Sequence, residues 1–197
     1  MSKLMMLNEL EVYAKENKIP IMQKDGILYL CNYIKENKIK KVLEIGSAIG
    51  YSAIQMALVS NDIKITTIEK DEERYKQAIE NIDKFNLNSQ IKIYNIDALD
   101  YSDTDKYDLI FIDAAKSKNI TFFEKFANNL ADHGVIITDN LSFHGLVEDS
   151  NLIKTKNQEG IVRKIKDYIN FLDNNCEFIT EYISVGDKIA ISKKNKN

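Results

Sequence analysis

The chain holds 197 residues, 44% hydrophobic and 29% charged, a balance that fits one globular domain with a large core and excludes a disordered or fibrous polypeptide. Its net charge of −3 argues against a surface built to coat nucleic acid without selectivity, although it permits a local basic patch. No apolar run approaches the ~20 residues of a membrane span, the opening MSKLMMLNELEVY is too polar for a secretory signal, and Cys31 and Cys176 lack metal-ligand spacing, so the reading is a cytoplasmic protein with two reduced thiols.

Residues 3–17 read as a helix with Leu4, Leu7, Leu10, Tyr13 and Ala14 on one face, broken by KIPIMQK at Lys18–Lys24. A second helix spans Lys24–Glu36. Residues 41–45 form a short apolar strand, followed by a helix at 51–59. The β-branched run Ile63–Ile68 is a second strand ending in Glu69, after which Asp71 caps the helix DEERYKQAIENIDKFNL. Gln90–Asp97 and Tyr107–Ile112 read as the third and fourth strands, the latter ending in Asp113-Ala114-Ala115-Lys116. A helix over Ile120–Ala131 presents Phe122, Phe123, Phe126 and Leu130 to the core. Asp132-His133-Gly134 turns the chain into a fifth strand, Val135–Thr138, which ends in Asp139-Asn140. Residues 141–160 read as irregular, 161–173 as a helix, and Glu177–Ser192 as two strands around Gly186-Asp187. The alternation, with no linker and a single proline (Pro20), describes one domain over 1–197: a doubly wound, mostly parallel seven-stranded sheet with an antiparallel C-terminal edge hairpin.

The most informative stretch is KKVLEIGSAIGY, Lys40–Tyr51, a strand, a glycine turn and a helix start, where backbone N–H groups can face a ligand. Its spacing is E-x-G-x-x-x-G, with alanine at position 48, where the dinucleotide fingerprint requires a glycine so that a pyrophosphate can approach. S-adenosylmethionine (SAM), which has no pyrophosphate, suits the loop better; an ordinary strand–helix turn of another α/β protein is the alternative. In such sheets ligands bind beyond the carboxyl ends of the strands, and there Glu44, Gly46, Glu69, Asp97, Asp113, Lys116, Asp139 and Asn140 collect. Glu69 is placed to accept hydrogen bonds from ribose hydroxyls, and Asp97-Ala98 stand where an adenine would lie. Carboxylates gathered on one rim repel one another and call for bound positive charge. Asp113, Asp139 and Asn140 are hard oxygen donors without Cys or His, a set that suits Mg²⁺. The plainer reading is a helix cap at Asp113 and an ordinary turn at Asp139-Asn140.

These segments carry a resemblance. IPIMQK, VLEIGSAIGYSAIQMA, TIEKDEERYKQAIENI, YDLIFIDAAK, GVIITDNLSFHGLV and VGDKIAISKK are similar to the metal-dependent class I SAM O-methyltransferases of the catechol and caffeoyl-CoA kind, from about Ile19 to the C-terminus. Within that family the chain looks most like the bacterial tRNA 5-hydroxyuridine methyltransferase branch. The resemblance implies a Rossmann-like methyltransferase fold, N-terminal helices over 1–36 that cover the site, and a homodimer. It implies SAM contacts at Met22, Glu44–Gly46, Ser52, Glu69, Asp97, Ala98 and Asp113, metal ligands Asp113, Asp139 and Asn140, and Lys116 as the base or as a lysine that supports Asp113. The expected reaction is methylation of the 5-hydroxyl of a wobble 5-hydroxyuridine, with Lys154, Lys156, Arg163, Lys164 and Lys166 contacting tRNA phosphates; a catechol-type small acceptor is the alternative, and a non-catalytic SAM-binding module the alternative of another class. His144 and Phe143 are candidates for the substrate entrance, His133 for a solvated turn, and the KKNKN tail for a solvated end.

Overall fold

The computed structural model describes residues 2–195; Met1 and the last two residues of the KKNKN tail, Lys196 and Asn197, lie outside the described residues. Seven strands form one sheet: β1 (Lys41–Ile45), β2 (Lys64–Glu69), β3 (Ile91–Asn95), β4 (Tyr107–Ile112), β5 (Leu130–Thr138), β6 (Phe178–Ile183) and β7 (Ile189–Lys194). Their spatial order is β3-β2-β1-β4-β5-β7-β6. The first five run parallel, while β7 pairs antiparallel with both β5 and β6, as the sequence pattern predicts.

The central strands are apolar on both faces because helices cover both. Along β4, Leu109 and Phe111 pack into the core on one side and Ile110 and Ile112 into the core on the other. Helices α1 (Lys3–Glu16), α2 (Lys24–Glu36), α3 (Tyr51–Ala57) and α4 (Glu72–Lys84) supply the first core with residues such as Leu10, Ile27, Leu30, Ile54 and Ile82. Helices α5 (Asn119–Ala127) and α6 (Lys156–Asp173) supply the second with Phe122, Phe123, Phe126, Ile165 and Tyr168. After β1 the chain winds outward through β2 and β3, then returns to place β4 on the other side of β1. Strand order therefore reverses between β1 and β4, which opens a crevice at their carboxyl ends.

Three boundaries differ from the sequence reading by four residues or more. Helix α5 ends at Ala127 rather than Ala131, and Leu130 opens β5. The cause is Asn129: its carbonyl accepts the Tyr107 N–H at 2.8 Å, and its amide nitrogen donates to the Asp103 carboxylate at 3.0 Å, drawing the chain out of the helix. Asp132-His133-Gly134 is accordingly not a turn before a strand but lies within β5, where the register against β4 shifts; His133 is exposed there as expected. The stretch 141–160 is not wholly irregular, since a 3₁₀ turn covers Ser150–Leu152 and α6 begins at Lys156. Thr155 Oγ1 accepts from the Gln158 N–H while Gln158 Oε1 accepts from the Thr155 N–H. This reciprocal cap starts the helix five residues before the apolar periodicity becomes visible, despite Gly160.

Candidate active site

The crevice is a cleft of about 410 Å³ lined by the ends of β1, β2 and β4, the loops after β3 and β5, and the Pro20–Met22 segment before α2. Its floor starts with the glycine turn. Gly46 and Ser47 donate their N–H groups to the Ile68 carbonyl at 3.0 and 3.2 Å, which stitches the turn to β2. Gly46 adopts φ +96°, and a Cβ there would lie 2.5 Å from the Asp113 carbonyl oxygen, so the turn can pass under β4 only as glycine. Ala48 also takes a left-handed conformation, φ 45°, which costs a side-chain-bearing residue about 1 kcal/mol. Glu69 Oε2 offsets that strain by accepting the Ala48 N–H at 2.8 Å, and its Oε1 accepts the Asp71 N–H at 2.9 Å. The carboxylate is thus fixed at the cleft wall, where its remaining lone pairs suit a pair of ribose hydroxyls.

Asp97 and Ala98 line the same end of the cleft, with Ile68, Ile96 and Phe122 as apolar walls for a flat heterocycle. Asp97 accepts the Leu99 N–H at 3.0 Å and faces Lys118 Nζ at 3.3 Å. The backbone hydrogen bond chiefly, and Lys118 in addition, hold its carboxyl below the usual carboxylate range, against some desolvation. Met22, Gly46, Ser52 and Asp113 also line the cleft, as the resemblance implies. Glu44 does not. It is fully buried beneath the turn, where Oε1 and Oε2 accept the Ser52 and Thr67 hydroxyls, each at 2.5 Å. Burial pushes its carboxyl up to about 7, opposed by those two hydrogen bonds. The expected cofactor contact is corrected accordingly: Glu44 supports Ser52, and Ser52 faces the cleft.

At the other end stand the oxygen donors. Asp113 and Asn140 line the cleft, Asn140 in a left-handed conformation at φ 73°. Asp139 lies just behind them, 2% exposed, and its Oδ1 is buried with no hydrogen-bond partner. Lys116 Nζ donates to Asp113 Oδ1 at 3.0 Å and to the Asp139 carbonyl at 3.1 Å. The Asp139 carboxyl is raised by burial first and by the Asp113 charge next, with Lys116 pulling the other way. Lys116 therefore compensates the Asp139 charge only in part. An orphaned buried carboxylate oxygen beside a second carboxylate and an amide oxygen fits a hard divalent cation. No trio of His, Cys, Asp or Glu converges among the described residues.

The five basic residues expected to meet tRNA, Lys154, Lys156, Arg163, Lys164 and Lys166, are all exposed on α6 or just before it, and none lines the cleft. Residues that the sequence reading passed over do: Lys70 and Arg74 at the β2 end, Lys118 beside Asp97, and Pro20 and Ile21 before Met22. Phe143 and His144 line the cleft near Asn140. Tyr51 packs beside the glycine loop, and its hydroxyl donates to Glu11 Oε1 of α1 at 2.8 Å. Cys31 is a free thiol pushed up to about 12 by burial, and Cys176 is free and exposed.

Comparison with known proteins agrees with this geometry. The sequence profile of a family described as O-methyltransferase matches residues 2–195. The chain is 30% identical over 194 residues to a provisionally named caffeoyl-CoA O-methyltransferase of Arabidopsis thaliana, covering 91% of this chain and 78% of that protein. It is 34% identical over 120 residues to a catechol O-methyltransferase of Niastella koreensis, covering 57% of this chain and 54% of that one. A solved structure of a Staphylococcus aureus protein, provisionally named a caffeoyl-CoA O-methyltransferase, superposes with a TM-score of 0.92 at 35% identity, covering 99% of this chain and 93% of that one. The profile match over residues 2–195, with a cleft at the topological switch point of the sheet, establishes that the chain belongs to the SAM-dependent O-methyltransferase family.

Proposed function

We propose that the chain moves the methyl group of SAM to a hydroxyl oxygen of a small catechol- or caffeoyl-type acceptor whose neighbouring oxygen helps to hold a divalent cation. The methyl–sulfur bond breaks with its electron pair staying on sulfur, which becomes the neutral thioether of the demethylated product; a methyl–oxygen bond forms, and the hydroxyl proton passes to solvent water. The observation that carries this reading is the buried, unpartnered Asp139 Oδ1 next to Asp113 and Asn140, at the end of the cleft opposite the Glu69 and Asp97 walls. When bound, a cation there supplies a Lewis acid that lowers the hydroxyl pKa towards neutrality. Asp113, Asp139 and Asn140 would hold it, leaving positions for acceptor oxygens.

The chain's own residues do the rest. Ser52, held from below by Glu44, offers a hydroxyl oxygen that can still accept from the ammonium at the amino acid end of SAM. Glu69 offers acceptors to the ribose, and Ile68, Ile96 and Phe122 enclose the heterocycle. Lys116 donates to the Asp113 carboxylate and to the Asp139 carbonyl, which supports a role in steadying Asp113. Acting as the base would require the neutral amine at Nζ. The names of the relatives support a small acceptor. A wobble 5-hydroxyuridine, with its 5-hydroxyl beside a 4-carbonyl, is the second reading; the observation in its favour is that the basic helix α6 packs against the Lys116–Lys118 turn at the cleft.

An acceptor panel tests the proposal. Purified protein with Mg²⁺ and methyl-labelled SAM is offered catechol, caffeoyl-CoA and tRNA carrying 5-hydroxyuridine. Label in catechol or caffeoyl-CoA, and not in tRNA, is the expected result. Label in tRNA alone would overturn the small-acceptor reading in favour of the second one.

A further inference from the structure

The acceptor end of the cleft is walled by a short loop, Leu141–Gly145, whose backbone conformation needs outside support. Phe143, His144 and Gly145 are consecutive left-handed residues, at φ 50°, 58° and 83°. A run of this kind strains the two non-glycine residues and persists only where neighbours impose it. The neighbour is the turn between β6 and β7. The Leu141 N–H donates to the Lys188 carbonyl at 3.0 Å and the Ser142 N–H to the Asp187 carbonyl at 2.9 Å. The Asp187 carboxylate then accepts the His144 N–H through Oδ1 at 2.7 Å.

Asp187 is unusually buried for a residue of a hairpin turn. It is 3% exposed, and its Oδ2 is buried without a hydrogen-bond partner. The His144 ring nitrogen Nδ1 stands 3.7 Å away, close but not bonded. Keeping a carboxylate in such a place is costly unless the groups it holds matter. The same turn reaches the other side of the cleft, since Gly186 packs on the backbone of Gly26 in α2, and Gly26 contacts the cleft residue Met22.

We infer that Asp187 is a positioning residue for the acceptor: by gripping the His144 N–H it sets the Phe143–His144 wall at the distance from Asn140 that a planar substrate requires. This rests on the reading of the cleft as a methyl-transfer site. It adds a specificity element outside the metal set, carried by the C-terminal hairpin.

Hydrogen exchange followed by NMR in the wild-type protein, and in Asp187→Ala and Asp187→Asn, tests it without reference to turnover. In the wild type the His144 amide should exchange at least tenfold more slowly than an exposed loop amide. Asp187→Ala should abolish that protection over residues 141–147 and leave the Gly46–Ser52 amides unchanged. Asp187→Asn, whose side-chain oxygen can still accept, should retain it. In kinetics Asp187→Ala should raise the acceptor KM tenfold or more, with SAM affinity by calorimetry within twofold of wild type and Asp187→Asn restoring the KM. An unprotected His144 amide in the wild type overturns the inference even if no variant folds. So does an alanine variant that loses SAM affinity in parallel with acceptor KM, or an asparagine variant as impaired as alanine. A protected wild-type loop in a protein that methylates no acceptor would instead overturn the functional reading alone.

Discussion

At the residue scale, the site depends on carboxylates that are buried for different reasons. Asp139 and Glu44 both have raised pKa values, yet one is orphaned beside other donors and the other is satisfied by two hydroxyls. For Asp139, the isosteric Asp139→Asn should weaken Mn²⁺ binding, measured by electron paramagnetic resonance titration, by at least tenfold, while the metal-free protein melts no lower than wild type because a poorly compensated charge has gone. Unchanged Mn²⁺ affinity would remove Asp139 from the ligand set. For Glu44, the folded value of about 7 lies above the ordinary 4.5. The neutral form is therefore the one the fold favours: its stabilising contribution is complete below about pH 4.5 and is lost as pH rises through about 7. The gap corresponds to about 3 kcal/mol. Glu44→Gln should show no such loss, so the Tm of the variant relative to wild type should climb between pH 5 and pH 8 in the ligand-free protein. Parallel Tm–pH curves would contradict the assignment. Sequence could name Glu44 as a strand-end acid beside a glycine turn. It could not show that Ser52 and Thr67 enclose the carboxylate below the floor, because that depends on the register of β1 against β2 and on the position of α3.

At the element scale, turns and caps set what the cleft can be. Gly46→Ala would push a methyl group to within 2.5 Å of the Asp113 carbonyl, so either the turn or the end of β4 must move. SAM affinity by calorimetry should fall at least tenfold, and an affinity within twofold of wild type would show that the turn is not the cofactor floor. The cap of α6 makes the contrasting case. Thr155→Ala removes one half of a reciprocal cap on an exposed helix end, at a cost of about 1 kcal/mol, or a Tm lower by roughly 3 °C, with unchanged kinetics towards a small acceptor. A clear loss of activity in that variant would tie the start of α6 to small-acceptor chemistry. Strands β1 and β4 and helix α2 were legible to the residue, since apolar runs bounded by polar turns leave little choice of ends. The end of α5 and the start of α6 were not, because each is decided by a side chain bonding to the backbone: Asn129 pulls one helix short and Gln158 starts the other early.

At the scale of the molecule, the sheet order explains why distant residues meet. β1 and β4 are adjacent, with β2 on one side and β5 on the other, so Gly46, Glu69, Asp113 and Asn140 converge although 94 positions separate the first from the last. The alternation of strands and helices predicts this switch point, and with it the acids at the strand ends. It does not predict the acceptor wall, which comes from a loop in left-handed conformations braced by the C-terminal hairpin. Nor does the alternation place the basic face of α6, which is exposed and outside the cleft. Among the described residues no helix is long and apolar enough to cross a membrane. The central claim is that one cleft brings a SAM site and a hard-oxygen cation site together for transfer to oxygen. Its most direct test is methyl transfer from labelled SAM to catechol after chelation with EDTA and after restoring Mg²⁺ in excess. Loss of at least 95% of the label with chelator and full recovery with the cation is the expected result; undiminished transfer in the presence of chelator would rule out a cation-dependent site.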